Sequence, residues 1–302
     1  MYDVVTLGEC MAVLYPTEPV PMDRVSTLTL DIAGAESNTA IGLSQLGHRV
    51  RFVSQVGNDS LGQRIRTTLM QEGVDTTYLL TDSDAQTGVF FREWLPDGAR
   101  RVQYYRRASA ASRLSPEHLK PEMFAGAHIV HMTGITPALS ETCAASVARA
   151  VELAHEAGAL VSFDPNYRAP LWSVEAARVA LLPLMAQADI LLLGHEDAHA
   201  ILGTHDEEEV LATMPGFRAQ VVVLKQAEKG ACARAGEARV AIPAMPVPEV
   251  IDPVGAGDGF NAGFLSGWLR GYALADALRL GAQVGAQIVS LAGDYAHSRD
   301  KA

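Results

Sequence analysis

A chain of 302 residues, 48% hydrophobic, 20% charged and 6% aromatic, is long enough to bury a substantial core and too apolar for a disordered segment. Its formal net charge of −11 excludes the broad basic footprint that a nucleic-acid backbone requires. Cys10, Cys143 and Cys232 stand far apart without Cys-x-x-Cys spacing, which favours a reducing compartment over a disulfide framework or a zinc knuckle.

The chain opens Met1-Tyr2-Asp3-Val4-Val5, with no basic region leading into a long apolar stretch. No run reaches the length of a bilayer span, so a cytoplasmic protein without a membrane partner is expected. An extended stretch at 25–30 precedes a helix in which Leu61, Ile65 and Leu69 recur at i, i+4, i+8, capped by Asp59 or Ser60 and stopped by Gly73. Residues 87–95 and 101–105 flank Pro96-Asp97-Gly98 and predict a hairpin. Because an isolated hairpin is marginal, it is expected to join 25–30 in a small β sheet outside the main one. Residues 140–157 predict a second helix, ending at Gly158 and feeding the strand Leu160-Val161-Ser162-Phe163 with Asp164 behind it. The aliphatic runs 190–193 and 221–224 read as strands buried on both faces. The alternation of strand and helix predicts one α/β domain over 1–302: a mostly parallel central sheet with helices on both faces, and a β lid from about 10–32 and 87–107.

The chemistry concentrates in Asp252-Pro253-Val254-Gly255-Ala256-Gly257-Asp258-Gly259-Phe260. Small residues at Gly255, Ala256 and Gly257 let backbone amides approach a ligand, and the apolar pattern Phe260, Phe264, Trp268 starts a buried helix there. An open helix N-terminus attracts anions, and Asp258 in its first turn is placed to accept a hydroxyl proton. The bland alternative is a tight turn capped by Asp.

This segment resembles the C-terminal signature of the ribokinase-like (PfkB) carbohydrate kinases, with Pro253 where Thr is usual. The resemblance runs on through Gly34-Ala35-Glu36-Ser37-Asn38, Val56-Gly57-Asn58-Asp59-Ser60 and Lys225 to Gly230, with Ala227 in place of a family glycine. It implies a ribokinase-like fold, ATP and Mg²⁺ as cofactors, Asp258 as general base beside Gly255, Ala256 and Gly257, and a homo-oligomer. On the nucleotide side it implies Asp197, Lys225, Gly230, Asp252, Gly255 and Gly257, with no metal-ligating residues assigned. Asp164-Pro165-Asn166-Tyr167-Arg168 and Tyr104-Tyr105-Arg106-Arg107 resemble the members of the family that phosphorylate 2-keto-3-deoxygluconate, since forked guanidinium groups suit a sugar acid's carboxylate. The implied sugar contacts are Gly34, Asn38, Phe90, Tyr104, Arg106, Ile135 and Arg168, and the implied product is the 6-phosphate.

Three rivals stand beside this reading. A kinase of a neutral sugar, such as fructose or ribose, would not need the two arginines. A zinc hydrolase would use His195-Glu196-Asp197-Ala198-His199, which matches His-Glu-x-x-His, although the glycine after it falls one residue late at Gly203. A non-catalytic regulator would keep the fold alone.

Overall fold

The computed structural model describes residues 1–95, 100–212 and 217–297. In chain order the elements are β1 (Tyr2–Leu7), β2 (Met11–Tyr15), β3 (Thr29–Ala33), α1 (Ala35–Gln45), β4 (Val50–Gly57), α2 (Ser60–Gln71), β5 (Leu79–Asp82), β6 (Val89–Trp94) and β7 (Arg100–Tyr105). Then come α3 (Pro121–Phe124), β8 (Ala127–Thr133), α4 (Glu141–Glu156), β9 (Leu160–Asp164), α5 (Val174–Gln187), β10 (Ile190–Gly194), α6 (His195–Asp197) and α7 (Glu207–Ala212). β11 (Val221–Lys225), β12 (Ala231–Ala235), β13 (Ala238–Ile242), α8 (Ala256–Leu269) and α9 (Leu274–Val289) follow.

A nine-stranded sheet runs β13-β12-β11-β10-β9-β8-β1-β4-β5. The pairings from β11 to β5 are parallel, and β12 and β13 are antiparallel at one edge. The aliphatic runs feed both faces: Leu191, Leu193, Val222 and Leu224 enter one apolar layer, while Ile190, Leu192, Val221 and Val223 enter the other. The first layer is closed by α4 and α5 through Val147, Val151 and Leu181. The second is closed by α1, α2, α8 and α9 through Ile41, Ile65, Phe264 and Leu278. This is the two-faced burial that central parallel strands require.

The helix boundaries follow local chemistry. Asp59 caps α2 by accepting from the Gly62 amide at 2.7 Å, and Gly73 takes the left-handed φ of 81° just beyond its end. Ser140 caps α4 through the Cys143 amide, and Gly158 follows with φ 75°.

A second sheet runs β3-β2-β6-β7. β6 and β7 pair antiparallel from Val89↔Tyr105 to Trp94↔Arg100, and the Pro96-Asp97-Gly98 turn expected between them lies outside the described residues. The stretch expected around 25–30 joins this sheet later than its expected bounds: pairing with β2 begins at Thr29 and continues to Ala33. The apolar side chains that seal this sheet, Met11, Val13, Ala33 and Phe90, favour the later register. The central strand β2 separates β3 from the hairpin. Among the described residues no helix is long and apolar enough to cross a membrane.

Candidate active site

The parallel strands deliver their carboxyl ends to one edge, where open α/β sheets bind ligands. β1 leads into Gly8 and Glu9, β8 into Gly134 and Ile135, β9 into Asn166 and Arg168, β10 into Asp197 by way of Gly194, and β11 into Gly230. α1 and α8 bring their N-termini to the same place. There the Asn38 amide donates from Nδ2 to Asp258 Oδ2 at 2.8 Å, and Thr39 Oγ1 donates to the Asp258 carbonyl at 3.3 Å.

The start of α8 has a specific construction. Gly255 occupies its N-cap with φ 83°, a left-handed conformation, and a Cβ there would sit 2.3 Å from the Asp294 carbonyl oxygen. Only glycine meets both demands. No side chain caps the helix; the Ala256 amide donates to the Pro253 carbonyl at 3.3 Å, while the amides of Gly255 and Gly257 beside it are left to an anion. On the open side of Gly257 the nearest group is Lys225 Nζ, 3.8 Å from a built Cβ. The arrangement suits phosphate groups: open amides at Gly255 and Gly257, a nearby ammonium and no obstructing side chain.

Asp258 is 8% exposed. Burial pushes its carboxyl up to about 7, against the lowering effects of the Asn38 hydrogen bond and the charge of Arg168. The charge of Asp164 adds to the rise, and Lys225 opposes it. A carboxyl poised there is half deprotonated near neutral pH, where a general base is most effective.

Beside it, Asp164 Oδ2 accepts from Lys225 Nζ and from Asn261 Nδ2, each at 2.6 Å, and Lys225 Nζ also reaches Asn261 Oδ1 at 3.0 Å. Asp197 accepts from the backbone amides of Tyr167 and Gly194 at 2.7 and 3.1 Å, so it ties the loop after β9 to the end of β10. Burial and the charge of Asp164 raise the Asp197 carboxyl to about 6.

On the other flank, Phe90 and Tyr104 face each other across the second sheet with ring centroids 5.5 Å apart, and the Arg106 guanidinium lies 5.3 Å from the Tyr104 ring centre. Arg106 is 8% exposed and commits Nε to Glu9 Oε2 at 2.7 Å, with its Nη2 on the same oxygen. Glu9 also accepts from Ser109 Oγ at 2.6 Å. Arg168 is exposed. Gly34 precedes α1 and receives Ser37 Oγ on its carbonyl, while the Ile135 amide donates to Thr133 Oγ1.

Gly230 has φ 102°, and a Cβ would meet the Ile242 carbonyl oxygen at 2.1 Å. It shapes the turn between β11 and β12. Asp252 accepts from Arg92 Nη1 at 2.7 Å and from the Val254 amide at 3.0 Å.

Several side chains at this edge carried no role in the sequence reading. Asn261 had a usable signal, because three residues after Asp258 on a helix is the same face. Arg92 had another, since it alternates with Phe90 along a strand. Glu9, and Glu36 with its hydrogen bonds from Thr133 and Thr136, gave none, because their partners are distant in sequence.

The His-Glu-x-x-His match occupies α6 and the short π-helical turn Ala198–Leu202. Among the described residues no group of three or more His, Cys, Asp or Glu side chains is placed to hold a metal ion.

Residues 1–301 match the description "pfkB family carbohydrate kinase". A 2-dehydro-3-deoxygluconokinase of Bacillus subtilis (strain 168) is 36% identical over 260 residues, covering 85% of this chain and 80% of that protein. Fructokinase-1 of Zea mays is 32% identical over 260 residues, covering 85% and 80%. A PfkB protein from Polaromonas sp. JS666 superposes with a TM-score of 0.89 at 33% identity, covering 96% of each chain.

Proposed function

This chain belongs to the pfkB family of carbohydrate kinases, and from that premise we propose that it transfers the γ-phosphoryl group of ATP to the 6-hydroxyl of 2-dehydro-3-deoxy-D-gluconate. The observation that carries the chemistry is the pairing of a buried carboxyl raised to about 7, Asp258, with the uncapped N-terminus of α8. Asp258 takes the hydroxyl proton while the amides of Gly255 and Gly257 face the charge that develops on the transferred group, with Ala256 holding the turn between them through the Pro253 carbonyl.

ATP would lay its phosphates along this turn toward Lys225, with Asp197, Gly230 and Asp252 shaping the surroundings. Mg²⁺ would neutralise phosphate charge when bound. The charge of Asp164 acts on Asp197 beside it, so the ends of β9 and β10 give a cation negative surroundings, with the carboxylate oxygens already holding protein donors. The second sheet serves as a lid over the sugar, with Phe90, Tyr104, Gly34, Asn38 and Ile135 around it and Arg168 toward its carboxylate.

One observation favours a neutral sugar instead. Two donors of Arg106 are spent on Glu9, which leaves Arg168 as the main cation for a carboxylate. His195 and His199 each lie 5.3 Å from His205, ring centre to ring centre, but among the described residues no group of three or more candidate ligands is placed to hold zinc.

The test is an ADP-coupled assay across ketodeoxygluconate, ketodeoxygalactonate, fructose, ribose and adenosine, repeated on Arg168→Ala. The sugar acid is expected to give the highest kcat/KM. Because Arg168 is solvent-exposed, its removal is expected to raise the sugar-acid KM by about tenfold, short of the loss for a fully desolvated pair, and to leave the KM for ATP alone. Preference for fructose, with Arg168→Ala silent, selects the alternative.

A further inference from the structure

Arg92 is the one guanidinium that β6 sends inward next to Phe90, and it is 2% exposed. Nη1 donates to Asp252 Oδ2 at 2.7 Å and Nη2 donates to Asp294 Oδ1, while the Tyr15 and Phe90 rings lie 5.7 and 5.9 Å from it. These two carboxylates bracket the turn that opens α8. Asp252 begins the turn and accepts from the Val254 amide. Asp294 lies against Gly255, where its backbone leaves no room for a Cβ. One fork of donors therefore binds both sides of the turn whose amides would face the phosphoryl group, and the fork belongs to the sheet that carries Phe90.

We propose that Arg92 is a positioning residue for phosphoryl transfer, a built-in cation that holds the 252–256 turn and Asp294 in one geometry and couples that geometry to the docking of β6. This rests on the kinase reading above. A lysine in its place would reach one carboxylate as a point charge but could not bridge two. Two buried carboxylates without a cation repel each other and draw in water, which would swing the first amides of α8 off the line of transfer. Displacements near 1 Å at such a site cost about 10² in rate.

The experiment uses the full chain with Arg92→Ala, Arg92→Lys, and Arg92→Met combined with Asp294→Asn. Each variant is assayed for kcat, for both KM values and for thermal midpoint. Arg92→Ala is expected to lose kcat by about 10² with the sugar KM little changed, and Arg92→Lys to fall between it and wild type. Added guanidinium ion, below denaturing concentration, should restore part of the lost kcat, and equimolar urea, its neutral counterpart, should not. The double variant removes one of the two unpaired carboxylates and with it their mutual repulsion, so it should recover part of the thermal stability while kcat stays low. Unchanged kcat in a folded Arg92→Ala overturns the proposal. So does joint recovery of stability and kcat in the double variant, which would make Arg92 a clamp for folding alone. If the wild type phosphorylates no sugar on the panel, the kinase reading fails separately. Arg92 is then judged by calorimetric ATP affinity: loss in Arg92→Ala with recovery by guanidinium supports it, and unchanged affinity overturns it.

Discussion

Asp164 and Asp258 are the same side chain at the same edge of the sheet, and their surroundings give them opposite work. Asp164 is 1% exposed and takes three donors, Lys225 Nζ, Asn261 Nδ2 and the Asn166 amide. Asp258 is 8% exposed and its carboxylate takes a single hydrogen bond, from Asn38. The first carboxylate is saturated and joins β9, β11 and α8. The second is buried without enough compensation, and its affinity for a proton rises accordingly. Asp164, held by three donors, is a strut, and Asp258, buried with one, is the carboxyl proposed as base.

The largest effect should come from Asp258→Asn, which keeps the shape and removes proton acceptance. We expect kcat to fall by about 10²–10⁴ in a folded protein, and wild-type kcat/KM to rise with pH through about 7, where the carboxyl deprotonates. The same substitution should raise stability at alkaline pH. The folded carboxyl titrates near 7 against an ordinary 3.8. Its contribution to stability is therefore full below the ordinary value and is lost as pH rises through about 7. Asparagine has nothing to ionise, so the variant should gain on wild type by up to about 4 kcal/mol between these limits. Denaturant melts at pH 5 and pH 8.5 measure this. Equal differences at both would show that Asp258 is not poised as described.

Asp164→Asn should do the reverse, leaving Lys225, 14% exposed at its side chain, without its carboxylate. Breaking a buried pair in this way costs roughly 3–5 kcal/mol, so the thermal midpoint should drop at every pH between 5 and 8.5. A stable Asp164→Asn protein with lost activity would assign the chemistry to the wrong aspartate.

The sequence disclosed these two regions unevenly. The strands β10 and β11 were legible because unbroken aliphatic runs bury both faces, and the caps of α2 and α4 were legible because Asp59, Ser140, Gly73 and Gly158 act locally. The turn 255–257 was legible because its glycines answer to local backbone geometry. The start of β3 was not, since its register is chosen by contacts with β2 and β6 that have no local signal. Nor were the partners of the buried charges: Arg92 meets Asp252 and Asp294, and Arg106 meets Glu9, across separations of 97 to 202 residues. A guanidinium read alone looks available to a ligand, and only the fold shows what already holds it.

The smallest effect tests whether the saturated side depends on strain. Lys225 ends β11, and two residues later Ala227 adopts φ 51°, a left-handed conformation that costs a non-glycine residue roughly 1–2 kcal/mol. Ala227 is exposed, so removing its methyl group forfeits little packing. Glycine would relieve the strain but would widen the unfolded ensemble, a cost of about 0.4–1 kcal/mol. Ala227→Gly should therefore stabilise the protein by up to about 1.5 kcal/mol, the difference between those two quantities. It should leave kcat and both KM values unchanged, because Lys225 is fixed by Asp164 and Asn261 and not by the turn beyond it. Thermal melts and the ADP-coupled assay decide this together. A rise in stability accompanied by a higher KM for ATP would mean that the strained turn itself sets the Lys225 ammonium against the phosphates, and the contrast between a rigid strut and a poised base would have to be redrawn.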